Sequence, residues 1–367
     1  MTAVLSIFFQ DITQSYVMAM SVFSLCGLSQ AVLEIPTGIF SDKIGRRQTL
    51  ILSAALILIC LLLWAVAGQL HCVPLLFVGA VLYGASDAFM SGTADALMFE
   101  TMQAIGEGQD FKLIYARSRV YNQSGLLISV LTAAGVMYFY PIQILAWISI
   151  LPMAGQLVIA FFYVNPPLES KTNINGDHDF KQAFFLLWRN KKLRLFSVIE
   201  ILDSSFCMTV HRFEGIYFEN VIAAWAVNLI RGCKQIAGMV GYALMPCFRR
   251  FQPLKLLVCS VLWSVGIRGT ALVLNSVFSP FIMALSNLSY GITETTKMEL
   301  LQNEYIASQR ATMGSILSLL TAVFQALIYL GAGYLADFFG VRLAFACVTG
   351  GRLIIVFLCS RAIKKEK

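Results

Sequence analysis

Glu200 and Asp203 lie three residues apart, and so do Arg231 and Lys234. In a helix that spacing puts both members of a pair on one face. Both pairs sit inside apolar runs, where an ionised group costs at least about 2.5–3.5 kcal/mol and needs a partner or a water-filled cavity. Two acids facing two bases make a natural buried network, and their similar depths lead us to expect Asp203 against Lys234. Asp87, Ser91 and Asp95 recur at four-residue intervals, again on one helical face, with Gly84, Ala88 and Gly92 as a small-residue ridge beside them. Glu294 stands among Thr293, Thr295 and Thr296. These groups suit binding of a proton or other cation, or a gate whose ion pairs exchange. The competing reading for each is a structural clamp. His71, His178 and His211 are scattered, and the nine Cys form no C-x-x-C pair. No metal site, disulfide framework, nucleophile or cofactor is therefore expected, and the chain does not read as an enzyme.

Elements that place such charges must lie in lipid. Apolar residues make up 58% and charged residues 13%, with a mean hydropathy of +0.74. Soluble domains carry about 25% charged residues. This composition excludes a soluble enzyme, a nucleic-acid module and a disordered scaffold. The net charge of +7 does not point to nucleic acid, because the basic residues sit in short breaks between apolar runs. A spanning helix needs about 20 apolar residues. Full spans are read near 16–40, 49–68, 73–98, 120–139, 142–164, 195–213, 222–246, 256–274, 277–296, 313–336 and 341–360, eleven in all. The nine residues Met1–Phe9 are too short to cross and lack the basic flank of a signal peptide. They read as the end of a twelfth helix whose beginning is absent.

The polar stretch 165–194, with Pro166, Pro167, Asn173 and Gly176 followed by basic residues, reads as a linker between an N-terminal bundle (1–164) and a C-terminal bundle (195–367). Twenty-one Lys and Arg fall in breaks on one side of the alternating spans, Lys297 and the tail Arg361–Lys367 among them; Arg212 and Arg342 fall on the other. That bias makes the linker and the C-terminus cytoplasmic. Arg231, Lys234, Arg268 and Arg352 lie within spans. Arg268, near a span end, is expected to snorkel; Arg352 has no evident partner.

Between the first two full spans the chain reads Gly38-Ile-Phe-Ser-Asp42-Lys43-Ile-Gly45-Arg46-Arg47. This resembles G-x-L-x-D-(R/K)-x-G-R-(R/K), the signature of the major facilitator superfamily, with Phe40 in place of Leu. The preceding Glu34-Ile-Pro-Thr-Gly38 resembles a recurrent variant in bacterial-type members, as do Ser91–Leu97 and Arg310–Ser315. Physically, Gly38 is expected to allow close helix approach, Asp42 to pair with a helix end or a base, Gly45 to turn the chain, and Arg46 and Arg47 to hold the loop at the cytoplasmic face, with Lys43 beside them. Gly333-Tyr-Leu-Ala-Asp337-Phe-Phe-Gly340-Val-Arg342 repeats the pattern on the outer side, and Gly241, Arg249 and Arg250 keep part of it. Repeated halves are expected of two bundles rocking about a central site.

The resemblance implies an all-α polytopic membrane protein of two pseudo-symmetric six-helix bundles, N-terminally truncated, in a bacterial inner membrane and monomeric. It implies secondary transport of a small molecule by alternating access, with a proton or other cation as the coupling partner and efflux among the directions left open. The Gly-Pro element of drug antiporters is missing at Leu131–Met137. By the family's helix order, Asp87, Asp95, Asp203 and Glu294 are the candidate cavity or coupling residues. Phe206, Tyr290 and Tyr121 could build an aromatic pocket. A transport-inactive relative serving as a membrane sensor or partner-binding protein is the alternative.

Overall fold

In lipid every backbone N–H and C=O must be satisfied inside the protein, which leaves helices as the solution for long apolar segments. The computed structural model describes residues 4–91, 93–106, 111–165, 189–248, 250–304 and 310–366, and these are overwhelmingly helical with no strand among them. The helices are α1 (Leu5–Thr13), α2 (Tyr16–Ile44), α3 (Arg46–Leu70), α4 (Val73–Met90), α5 (Thr93–Ala104), α6 (Phe111–Phe139), α7 (Gln143–Phe161), α8 (Lys191–Glu219), α9 (Ala224–Leu244), α10 (Pro253–Leu274), α11 (Ser279–Leu285), α12 (Leu288–Glu304), α13 (Arg310–Phe339), α14 (Val341–Gly351) and α15 (Leu353–Glu366). Residues 166–188 of the expected linker, Gly92, Arg249 and the side chains of Asp42, Arg119, Arg310, Lys364 and Lys365 lie outside the description, as does Lys367.

The chain divides into two compact units. The first comprises Met1–Gln14 and Val22–Ile174; the second comprises Ser15–Ser21 and Asn175–Lys367. Among the described residues, eight helical stretches are long and apolar enough to cross a membrane, where the sequence led us to expect eleven spans. The three that fall short are α8, α9 and the pair α11–α12. These carry the acids and bases picked out above, and their charges lower the hydropathy without taking the helices out of the bundle. α8 also runs to Glu219, beyond the expected end at residue 213, so Glu214 is helical and buried.

Three expected spans are interrupted. α4 stops at Met90 and α5 begins at Thr93, so Asp87 and Asp95 do not share one continuous helical face; Asp87 is half-buried and Asp95 exposed. The second break separates α11 from α12 at Ser286 and Asn287. The third falls at Arg352, after Gly350 and Gly351, which are weak helix formers.

The first unit packs by shape and hydroxyl groups. Trp64 stacks on Tyr83 with ring centres 5.6 Å apart, takes Phe9 edge-on at 4.9 Å, and donates its indole N–H to the Leu76 carbonyl at 3.1 Å. Ser53 and Ser86 each donate to the other's carbonyl at 2.9 Å, tying α3 to α4. A Cβ at Gly84 would overlap the Cys26 carbonyl, so α4 can cross α2 this closely only with glycine there. Gly38 does not have the expected close-approach role: among the described residues nothing lies within 4 Å of where its Cβ would sit. In the second unit Gly241, its partial counterpart, does have that role, against the Leu288 carbonyl.

The repeated motif makes the same corner twice. Gly45 (φ 105°, ψ 154°) precedes α3, and Gly340 (φ 86°, ψ 155°) precedes α14. Two residues on, Arg47 donates to the last carbonyl of α7, Phe161, at 2.9 Å, and Arg342 donates to the Leu272 carbonyl near the end of α10 at 2.7 Å. Asp337 caps the start of α2, accepting from Ser15 Oγ (2.8 Å), Tyr16 N (2.7 Å) and Val17 N (3.1 Å).

Candidate functional site: a buried charge network in the second unit

The side chain of Asn190 caps α8, accepting from the backbone N–H groups of Lys192 and Leu193. The helix then carries Glu200, Asp203 and Glu214 inward. Asp203 and Glu214 are eleven residues apart, about three turns, and so lie on nearly one face. Asp203 is fully buried and Glu214 is 2% exposed.

Two clusters form around them. In the first, Arg352 donates from Nε and Nη2 to Asp203 Oδ1 at 3.0 and 2.7 Å. The Lys297 ammonium lies 3.0 Å from the other Asp203 oxygen, 3.2 Å from Glu200 and 2.7 Å from Glu294. In the second cluster Glu214 is shared by Lys234 and by Arg268, whose Nε lies 3.3 Å away. The clusters meet at Ser264, whose hydroxyl accepts from Arg352 at 2.8 Å and also from Arg268. The full set is four acids (Glu200, Asp203, Glu214, Glu294) and four bases (Lys234, Arg268, Lys297, Arg352). Formal charge balances, as burial at this depth requires.

The expected Asp203–Lys234 pair does not form. Lys234 points to Glu214, a residue that fell just past the expected span, and Asp203 takes Arg352 and Lys297. Helical spacing put Glu200 and Asp203 on one face, both against Lys297, but it gave neither their partners nor a joint role for Arg231 and Lys234, because partners depend on which helices are neighbours. Arg268 does not snorkel; it is 4% exposed and pairs inward. Lys297 is not a loop cation but a buried one, 2% exposed. Arg231 is half-buried and, among the described residues, joins neither cluster.

A narrow cleft, with room for about one water molecule in this conformation, opens onto this network, bordered by Asp203, Cys207, Arg268, Tyr290, Glu294 and Arg352. The break between α11 and α12 shapes one wall, where Asn287 donates its side-chain N–H to the Lys234 carbonyl at 2.8 Å. Of the aromatic trio, Tyr290 borders the cleft, Phe206 packs against Gly351, and Tyr121 is exposed in the first unit.

The signature loop belongs to the first unit. Arg46 donates to Ser41 Oγ at 2.8 Å and pairs with Glu100 at 3.2 Å; the Arg47 backbone N–H is held by Asn165. Lys43 is exposed. Sequence reading missed Glu100 and Asn165, which are distant along the chain.

Residues 1–311 match the Major Facilitator Superfamily. The chain belongs to that superfamily. Solved superfamily structures align over nearly its whole length. The nucleoside transporter NupG covers 99% of this chain and 94% of its own at 14% identity and a TM-score of 0.82. An auto-inhibited POT family peptide transporter covers 99% and 93% at 12% identity and 0.74. The fucose:proton symporter FucP of E. coli covers 98% and 97% at 15% identity and 0.55. At such identities the likeness is one of fold. No curated protein matches in sequence.

Proposed function

We propose that the protein is a secondary transporter that moves a small molecule by alternating access, with the second unit's charge network on the substrate path. The observation that carries this reading is the charge-balanced octet bordering a cleft. Buried ion pairs are weak sources of stability compared with apolar packing, and intramembrane ionisable groups mark substrate or ion pathways by default. Coupling to a proton or other cation is assigned to Glu294, with Glu200 second. Their side chains, 33% and 21% exposed, are the most accessible of the four acids, and both contact Lys297. The orientation remains the one drawn from the basic residues: C-terminus and linker in the cytoplasm, the whole in a bacterial inner membrane, working as a monomer.

The test uses purified protein in liposomes containing a pH-sensitive dye, with an acidic exterior. Nucleosides, small peptides and fucose, the compounds named for the structural neighbours, are supplied in turn. Uptake with a dye signal that Glu294→Gln abolishes supports proton coupling there. Uptake that proceeds without a dye signal and is unchanged in Glu294→Gln overturns that assignment.

A further inference from the structure

The octet contains two spare members. Lys297 is met by three carboxylates, Glu200, Asp203 and Glu294, whereas Arg352 also serves Asp203. If Glu294 turns away, Glu200 and Asp203 still balance Lys297 and Arg352. Likewise Glu214 is met by two bases, Lys234 and Arg268. If Arg268 turns away, Glu214 and Lys234 still balance. Glu294 and Arg268 are therefore the acid and the base that can be withdrawn together without leaving a buried charge unpaired, the condition that makes most such rearrangements prohibitive. Both border the same cleft.

We propose that this cleft binds a small zwitterion, its carboxylate on Arg268 and its ammonium on Glu294. A ligand of net charge would add an uncompensated charge to a neutral buried set. A neutral polyol would leave the two withdrawn groups without ionic partners. A molecule carrying one carboxylate and one ammonium replaces each lost partner in kind. The remaining walls are small or amphipathic: Ser286, Ser289 and Thr293, whose hydroxyls donate to nearby carbonyls and keep a lone pair to accept, and Tyr290. They suit a compact, polar remainder on the ligand.

This deepens the transport reading and rests on it for biological meaning, but occupancy can be measured without flux. Cys207 borders the cleft and is a free thiol. In purified full-length protein keeping Cys207 alone of its cysteines, alkylation by N-ethylmaleimide reports access to the site. The probes are L-serine, β-alanine and γ-aminobutyrate as zwitterions of increasing length, against L-lactate, ethanolamine and glycerol. At least one zwitterion should slow alkylation about tenfold near ten times its Kd, while the other three leave it unchanged. In Glu294→Gln the site keeps a spare base without a spare acid, so protection should pass from the zwitterion to lactate; Glu294→Asp should retain the zwitterion preference. Protection by lactate, ethanolamine or glycerol equal to that of every zwitterion overturns the proposal, as does protection by none of the zwitterions. A folded Glu294→Gln protein with unchanged selectivity also overturns it. If that variant does not fold, the six-probe comparison on the unaltered protein decides alone. Zwitterion protection without flux keeps the site and removes the transport reading; flux of another charge class without such protection does the reverse.

Discussion

The two units share a repeated corner, yet they are held together by different chemistry. In the first, neighbouring helices are joined by reciprocal serine hydroxyls, an aromatic knot around Trp64 and backbone contact at Gly84. In the second, eight charged side chains gather in two clusters that meet at Ser264. Apolar packing and hydroxyl bonds hold helices without needing ions. Buried ions serve stability poorly and can change partners, so they belong where partners must change. On the reading proposed above, that contrast puts the exchanging ion pairs in the second unit.

The largest expected effect tests that division directly. Glu214→Gln leaves Lys234 and Arg268 without their shared carboxylate, and breaking such a site typically costs about 3–5 kcal/mol. Ser53→Ala, which removes one of the paired hydroxyls joining α3 to α4 in the first unit, is expected to cost about 1 kcal/mol. Thermal unfolding of both variants in one detergent compares them, and equal losses would erase the distinction between the units. A double-mutant cycle refines the partner assignment: Asp203 and Arg352 should couple by about 0.5–3 kcal/mol, and Asp203 and Lys234 should add independently within about 0.5 kcal/mol. The opposite pattern would restore the pairing suggested by spacing alone.

That reversal of partners shows where sequence reading stops. Helices, lipid exposure and the doubled corner at Gly45 and Gly340 were legible, because they follow from local composition and from a motif with a fixed turn. Asp203 and Lys234 were legible as buried charges because apolar neighbours surround them; Glu200 and Glu294 were legible as charges within spans and are half-buried. Their pairing was not, since Arg352 lies 149 residues from Asp203 and only the packing of α8 against α14 brings them together. Glu214 and Lys297 were passed over for a different reason. Each sits where charge lowers the local hydropathy enough to look like the edge of a span. An eleven-residue return to the face of Asp203 was the available signal for Glu214. Gly38 failed in the other direction: a glycine in a strong motif was read as a packing contact that the described residues do not make.

The glycines give the second prediction. Gly84→Val should destabilise the first unit by about 1–3 kcal/mol, because the added side chain meets α2 backbone that cannot yield. Gly38→Ala meets no described atom within 4 Å and should lie within about 0.5 kcal/mol of the unaltered protein. Gly241→Val belongs with Gly84→Val, since it would press on the Leu288 carbonyl. A Gly38→Ala variant as unstable as Gly84→Val would return the signature glycine to a packing role. Unfolding midpoints of the three proteins rank them.

The smallest effect concerns what the units have in common. Arg47 and Arg342 stand two residues after a left-handed glycine, and each guanidinium donates to a carbonyl at or near the end of another helix, at 2.9 and 2.7 Å. A cation at a helix C-terminus contributes about 0.3–1 kcal/mol when partly exposed. Arg47→Gln and Arg342→Gln should therefore each cost that little, and by similar amounts, although the two corners lie in different units. Gln is the informative replacement because it keeps a donor while removing the charge. Raising salt should shrink both losses together, since screening acts on the charge and not on the hydrogen bond. Unfolding midpoints at low and high salt give the comparison. If Arg342→Gln proves several-fold worse than Arg47→Gln, the corner of the second unit is tied into its charge network. The asymmetry between the units would then extend to the one element their sequences repeat.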